Sequence, residues 1–316
     1  MGASLHGYIS RARWFGGKGR DFEVTDLRSL AVYPAGGMTD RALVLAIATL
    51  TYLDATGGTE EYQLPLTVGP RADAARGEGA DGASSHGEAD PASFVADASD
   101  PALVALWDRL VAEGSVPRGE ATDMSWHDAT REAAGAQLLL RQFARPDHHS
   151  AVRFRLMPGV SVAADAPARP LRAEQSNSSL VWETGGDTGG GSGGSIYKLF
   201  RRVVPGINPD IELHQALTQA GCRHIAPLQG WVEANIGPAP EAPTHLGLLQ
   251  QLLPDAADGW DLIVTGFDRV EGLLDHARSL GDALADVHAD LRQAALDPGG
   301  ETVADGASVA AAMSAR

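Results

Sequence analysis

Apolar residues cluster along this chain in short runs, and the runs change period as the chain proceeds. Ala42–Leu50 is a continuous apolar run and Glu61–Val68 a second strand candidate. Pro65 pushes that second strand toward a sheet edge or a bulge, because proline cannot donate to a ladder. Thr56, Gly57 and Gly58 between the two runs form a turn signal, so a hairpin is expected. Residues 71–100 break the pattern. Ala, Gly, Asp and Glu dominate there, and such a stretch buries too little apolar surface to offset its ordering entropy, so a flexible insertion is expected.

Helical spacing follows. Leu103, Leu106, Trp107, Leu110 and Val111 share one face, and Arg131–Phe143 suggests a second helix. Proline-rich punctuation over 158–170 marks a boundary. Leu180–Glu183 and Ser195–Phe200 read as strands joined across the Gly185–Gly194 tract. Asn208 suits a helix N-cap and Pro209 a first helical position, so a helix runs from Pro209 to about Ala220. Two more strands are expected near Ala226–Val232 and Leu246–Leu252. Residues from 256 to about Leu296 read as helix, and the last 20 as a frayed, alanine-rich tail. No internal repeat is present.

Composition narrows the function classes. The 316 residues suffice for about two domains. A formal charge of −16 disfavours nucleic acid and anionic membranes as partners. Cys222, the single cysteine, excludes an internal disulfide. Met1 to Ser10 lacks a secretory pattern, and no apolar stretch reaches the roughly 20 residues that span a bilayer. A soluble cytoplasmic protein is expected.

Few residues carry candidate chemistry. Lys198 lies mid-strand between Ile196 and Phe200, which share its face. A lysine there either snorkels to solvent or holds an anionic ligand, such as the α- and β-phosphates of a nucleotide. The second role needs a carboxylate partner, and Glu212, one turn into the Pro209 helix, is preferred over Asp210. The small polar run Gln175-Ser176-Asn177-Ser178-Ser179 precedes a strand and could present N–H groups and hydroxyls to phosphate, although most such runs are only loops.

Other candidates read as ordinary structure. The Gly185–Gly194 tract lacks a Gly-Lys-Ser/Thr ending and opens into a strand, which excludes a Walker-type loop and suggests an expanded hairpin connection. His288 and Asp290 fall inside the helical stripe of Leu280, Leu284, Val287 and Leu291, so they belong to a solvated helix face. His148 and His149 read as a polar loop, Cys222 as a structural thiol, and no histidine spacing suggests a metal site. Arg201 and Arg202 could meet anions, but exposed arginines usually only solvate.

Three motifs resemble the bacterial maltokinases, relatives of the aminoglycoside phosphotransferases. They are Arg13-Trp14-Phe15-Gly16-Gly17-Lys18-Gly19-Arg20, Ala173–Ser179, and Tyr197–Val203 with Gly206–Leu213. Asp258-Gly259-Trp260 also fits. The resemblance implies an α+β fold: an N-terminal cap over 1–70, the flexible insertion over 71–100, an intermediate subdomain over 101–170, a protein-kinase-like N-lobe over 171–255 and an incomplete helical C-lobe over 256–316.

It also implies ATP-dependent phosphorylation of maltose at its anomeric carbon. Ser176, Asn177, Ser178 and Ser179 would line the phosphates, Lys198 would hold them, and Glu212 would orient Lys198. The Gln250–Leu253 backbone, Gln251 and Leu253 included, would meet adenine. The family's catalytic loop and its magnesium ligands have no match here, so the chain is expected to be truncated and inactive alone, with no catalytic or metal residue of its own. A C-lobe on a separate chain or a trehalose synthase would be a partner. A non-catalytic nucleotide-binding or docking module, or a kinase for another sugar such as glucosamine, is the alternative. An uncovered apolar face on Leu280, Leu284, Val287 and Leu291 is expected to favour self-association.

Overall fold

The computed structural model describes residues 4–34, 41–71, 95–96, 99–116, 118–145, 151–171, 176–183, 194–236, 243–253, 256–266 and 270–296. The fold is α+β. It divides into two compact units, one of Met1–Asn208 with Gln229–Leu252 and one of Pro209–Leu228 with Leu253–Arg316.

The first unit contains a five-stranded antiparallel sheet ordered β1-β2-β3-β5-β4. Its strands are β1 (Phe22–Tyr33), β2 (Ala42–Tyr52), β3 (Thr59–Pro70), β4 (Val95–Ala96) and β5 (Met124–Asp128). The expected hairpin joins β2 to β3, with Tyr52 N–H donating to Gly58 O at 3.0 Å. β2 is apolar at successive positions because both its faces are covered. Val44, Ala46, Ala48 and Leu50 meet one core, in which α1 (Leu5–Arg11), the Trp14-Phe15 pair and α2 (Pro101–Ala112) also sit. Leu43, Leu45 and Ile47 meet a second core built on α3 (Ala133–Ala144).

β3 is not the edge strand that Pro65 suggested. It lies between β2 and β5, and Leu45 pairs with Pro65 without a register shift. Pro65 is tolerated because it occupies a gap on the other side. Glu61 and Gln63 bond to the segment after Phe200, while β5 pairs only from Leu66 onward. A residue without an N–H fits where no acceptor faces it.

The second core is shared with a six-stranded antiparallel sheet ordered β6-β10-β11-β9-β8-β7. Its strands are β6 (Val152–Leu156), β7 (Ala168–Leu171), β8 (Asn177–Trp182), β9 (Ser195–Phe200), β10 (Leu228–Ala234) and β11 (Thr244–Gln251). Leu180, Trp182, Tyr197, Leu199, Val232 and Leu249 turn toward Phe143 and Leu139 of α3. β6 and β7 come from stretches expected to be intermediate subdomain and boundary. β7 and β8 belong to one sheet, and β5 extends the five-stranded sheet as far as Asp128.

The second unit is helical: α4 (Pro209–Gln219), α5 (Gly259–Gly266) and α6 (Val270–Leu296). α4 begins at Pro209, as its sequence signal required. His224 meets Asp286 of α6 at 2.9 Å. Leu280 and Leu284 are exposed. Among the described residues no helix is long and apolar enough to cross a membrane. Most of the expected flexible insertion, His148-His149, Gly185–Gly193 and the expected frayed tail lie outside the described residues.

Candidate functional site

Strand alternation sorts the residues of the polar run. Ser179 pairs with Lys198 across β8 and β9, and Lys198 pairs with Leu248 across β9 and β11. Directly opposed residues share a face, so Ser179, Lys198 and Leu248 line one side of the sheet. Asn177 lies two positions before Ser179 and shares that side. Lys198 is half-buried. Ser179 is 2% exposed, and its hydroxyl has no hydrogen-bond partner among the described residues. A buried hydroxyl left unpaired costs free energy, and such atoms in a fold point to a ligand or a strain reservoir. Ser176 is exposed at the head of β8, and residues 172–175 lie outside the described set.

Ser178 faces the other way. It pairs with Leu199, on the side packed against α3, and its hydroxyl accepts from Arg201 Nε at 2.8 Å. Ser178 and Ser179 therefore lie on opposite faces of the sheet.

Arg201 departs furthest from the sequence expectation. It is not an exposed arginine but wholly buried, whereas its neighbour Arg202 is 61% exposed and pairs with Glu60 at 2.8 Å. Arg201 Nη2 donates to Asp128 Oδ2 at 2.7 Å and to Thr130 Oγ1 at 2.6 Å. The other oxygen of Asp128 accepts from the Thr130 amide and hydroxyl at 2.8 and 2.7 Å. Tyr8 of α1 donates its hydroxyl to the same carboxylate. Burial pushes the Asp128 carboxyl upward, but the Arg201 charge and the bonds from Thr130 and Tyr8 outweigh it and hold its pKa below the usual range. Burial, with the Asp128 charge, pushes the Tyr8 phenol up, so it stays a donor. No local pattern announces this group, since Asp128 and Arg201 are far apart in the chain. The adjacent motif Tyr197–Val203 was the only available signal.

Main-chain and amide bonds reinforce the junction. Gln63 N–H donates to Arg201 O at 2.6 Å and Val203 N–H to Glu61 O at 2.8 Å. The Gln63 side-chain amide donates to Phe200 O at 3.1 Å and Leu246 O at 2.9 Å. The opening motif packs against the same region. Trp14 and Phe15 are buried, and Arg20 forks onto Asp54 at 2.5 and 2.9 Å while stacking on Tyr52. That fork, with help from Thr56, holds the Asp54 carboxyl well below the usual carboxylate range.

At the far end of β9, Gln251 pairs with Ser195 and Leu252 N–H donates to Gly194 O at 3.1 Å. Gln251 is half-buried. Leu253 and Glu212 belong to the second unit, where Leu253 is 49% exposed and Glu212 stands half-buried in the first turn of α4. His245 of β11 accepts from Asn208 N–H through ring Nδ1 at 3.0 Å, and its main-chain N–H donates to Gly206 O at 3.2 Å. Burial lowers the His245 pKa, and the Glu233 charge opposes that only in part.

His288 is exposed and Asp290 half-buried within α6, the helical setting read from the sequence. Cys222 is buried, and burial pushes its thiol pKa up, helped by Asp290 and against a backbone bond with His224. Among the described residues no group of three or more His, Cys, Asp or Glu is placed to hold a metal ion.

Comparison with known proteins finds a similarity in the N-terminal third of the chain. Residues 8–100 match the family described as the maltokinase N-terminal cap domain, and the opening motif Arg13–Arg20 lies within that match. A solved "glucosamine kinase in complex with glucosamine, ADP and inorganic phosphate" is 16% identical, with a TM-score of 0.44 over 92% of this chain and 52% of that one. Glucosamine kinase in crystal form B is 18% identical, with a TM-score of 0.43 over 84% and 46%, and in crystal form A 18% identical, with 0.41 over 92% and 53%. The chain spans about half the length of these structures. The α+β class, with a match to the cap family at its N-terminal end, is the one expected from the sequence.

Proposed function

We propose that this chain holds the nucleotide of an ATP-dependent sugar kinase of the maltokinase type, with maltose as the acceptor. The observation that carries the reading is the unpaired, buried Ser179 hydroxyl directly opposite Lys198 on one sheet face. A phosphate oxygen there accepts from the Ser179 hydroxyl, which satisfies that donor, and lies beside the Lys198 ammonium. Ser176 and Asn177 extend the lining toward the head of β8. Ser178 contributes through its tie to Arg201 rather than by facing the ligand.

The parts given to Glu212, orienting the lysine, and to Gln251 and Leu253, meeting adenine, are supported by the resemblance alone. Phosphoryl transfer also needs a base and magnesium ligands. No transfer step is assigned to the described residues. The chain alone is expected to produce no maltose 1-phosphate, and a separate catalytic lobe is the partner that would restore transfer.

A mant-ADP titration tests the nucleotide reading. The wild-type chain is expected to bind, and Lys198→Ala to bind about tenfold more weakly, the effect of losing about 1.4 kcal/mol from a charge-assisted contact. Equal binding by both, or none by the wild type, would overturn it. An assay with ATP, magnesium and either maltose or glucosamine tests the acceptor and the inactivity together.

A further inference from the structure

We propose that Arg201 is a positioning residue: paired with Asp128, it braces the strand that carries Lys198 against the cap, so that phosphate affinity is set in part from the cap. The proposal rests on the nucleotide reading above.

Three neighbouring strands carry the residues of that reading, and each is tied, directly or through Arg201, to the five-stranded sheet. β8, with Ser179, is tied through Ser178 to Arg201. β9, with Lys198, is tied through Phe200 O and Arg201 O to Gln63. β11, with Gln251, is tied through Leu246 O to the same glutamine. Arg201 gathers these ties because its planar fork reaches Ser178 with one nitrogen and Asp128 and Thr130 with another.

Arg201 cannot act on a phosphate directly. It lies two positions beyond Leu199, on the face packed against α3, whereas Lys198 is on the opposite face. Its influence must pass through β9. The network is also closed, since both oxygens of Asp128 are used and Tyr8 completes the set from α1. A fully satisfied buried network has one low-energy geometry, which apolar side chains of equal volume would not impose. Trp14 adds a second contact from the opening motif, its ring 4.7 Å from the Arg201 guanidinium carbon.

The experiment uses the full chain with Arg201→Lys and Tyr8→Phe. Lysine keeps the charge beside Asp128 but cannot also reach Ser178. Tyr8→Phe leaves the ion pair intact and removes only the link from α1. Amide hydrogen exchange by segment and mant-ADP titration are measured for each. In Arg201→Lys, exchange over residues 178–182 and 195–200 is expected to rise about tenfold while the β1–β2 amides stay as they were. The Kd for mant-ADP is expected to rise on the order of fivefold. Tyr8→Phe should move both readouts the same way by a smaller factor, and it carries the test if Arg201→Lys does not fold.

Exchange that is unchanged at 195–200, or that rises equally in β1–β2, would make Arg201 a general stabiliser and overturn the brace. Faster local exchange with an unaltered Kd would overturn the link to affinity. Failure of the wild type to bind mant-ADP would sink the nucleotide reading instead, and with it the affinity link, leaving the exchange pattern to decide the brace.

Discussion

Arg201 lies over the ring of Trp14, its guanidinium carbon 4.7 Å from the ring centroid. Two sequence motifs that carried the family resemblance separately are therefore in contact. The opening motif is a packing element: Trp14 and Phe15 fill the core, the Trp14 ring lies tilted against Tyr62 with centroids 5.7 Å apart, and Arg20 is held by Asp54. Its contact with Arg201 joins it to the end of the strand that carries Lys198.

Ser179→Ala should separate stability from binding. Removing an unpaired buried hydroxyl is expected to stabilise the ligand-free chain by about 1 kcal/mol. The same exchange should weaken mant-ADP binding, because the phosphate loses its donor. Urea midpoints with and without mant-ADP measure both, and a destabilised free chain would show that the hydroxyl already has a partner.

Asp128→Ala should be among the most damaging single exchanges. Breaking a buried pair leaves the remaining charge uncompensated, which costs about 3–5 kcal/mol. A double exchange, Asp128→Ala with Arg201→Met, should recover part of that loss. Urea unfolding of the single and double variants checks it, and additive losses would contradict the coupling.

His245 makes the fold sensitive to acid. Its pKa is lowered from 6.5 by burial, so the unfolded chain takes the proton more readily. Its stabilising contribution is complete above the ordinary histidine value and is lost as the pH falls through the depressed folded value. Protonation would also forfeit the bond from Asn208 N–H. The urea midpoint of the wild type should fall more steeply with acid than that of His245→Asn, whose carbonyl can accept without titrating. Parallel pH profiles would rule the contribution out.

Gly17→Ala tests the packing role of the opening motif. A Cβ at Gly17 would stand 2.2 Å from the Tyr52 hydroxyl and 2.7 Å from Phe15 Cζ. Overpacking of that kind costs about 1–3 kcal/mol. Thermal unfolding should show the loss. An unchanged Tm would mean that the two rings move aside freely.

Local chemistry made part of the fold legible. The apolar run of β2, the Gly57-Gly58 turn, the helical face of Leu103, Leu106, Trp107 and Leu110, and the Pro209 helix start all follow from periodicity and backbone preference, which act over a few residues. Lys198 was identified by the same means, as a charge in an apolar strand. The strand partners were not legible in this way. β6 and β7 are short and punctuated by proline, and they become strands only because β10 and β8 offer them ladders.

The sequence by itself determined which segments alternate, turn or coil, because those preferences are local. Only the tertiary structure decided that Arg201 is buried, that Ser178 and Ser179 serve opposite faces, and that Pro65 sits in a gap between two neighbours. Each depends on a partner distant in the chain, and the cost of desolvating a charge or a hydroxyl is set by what packing brings to it.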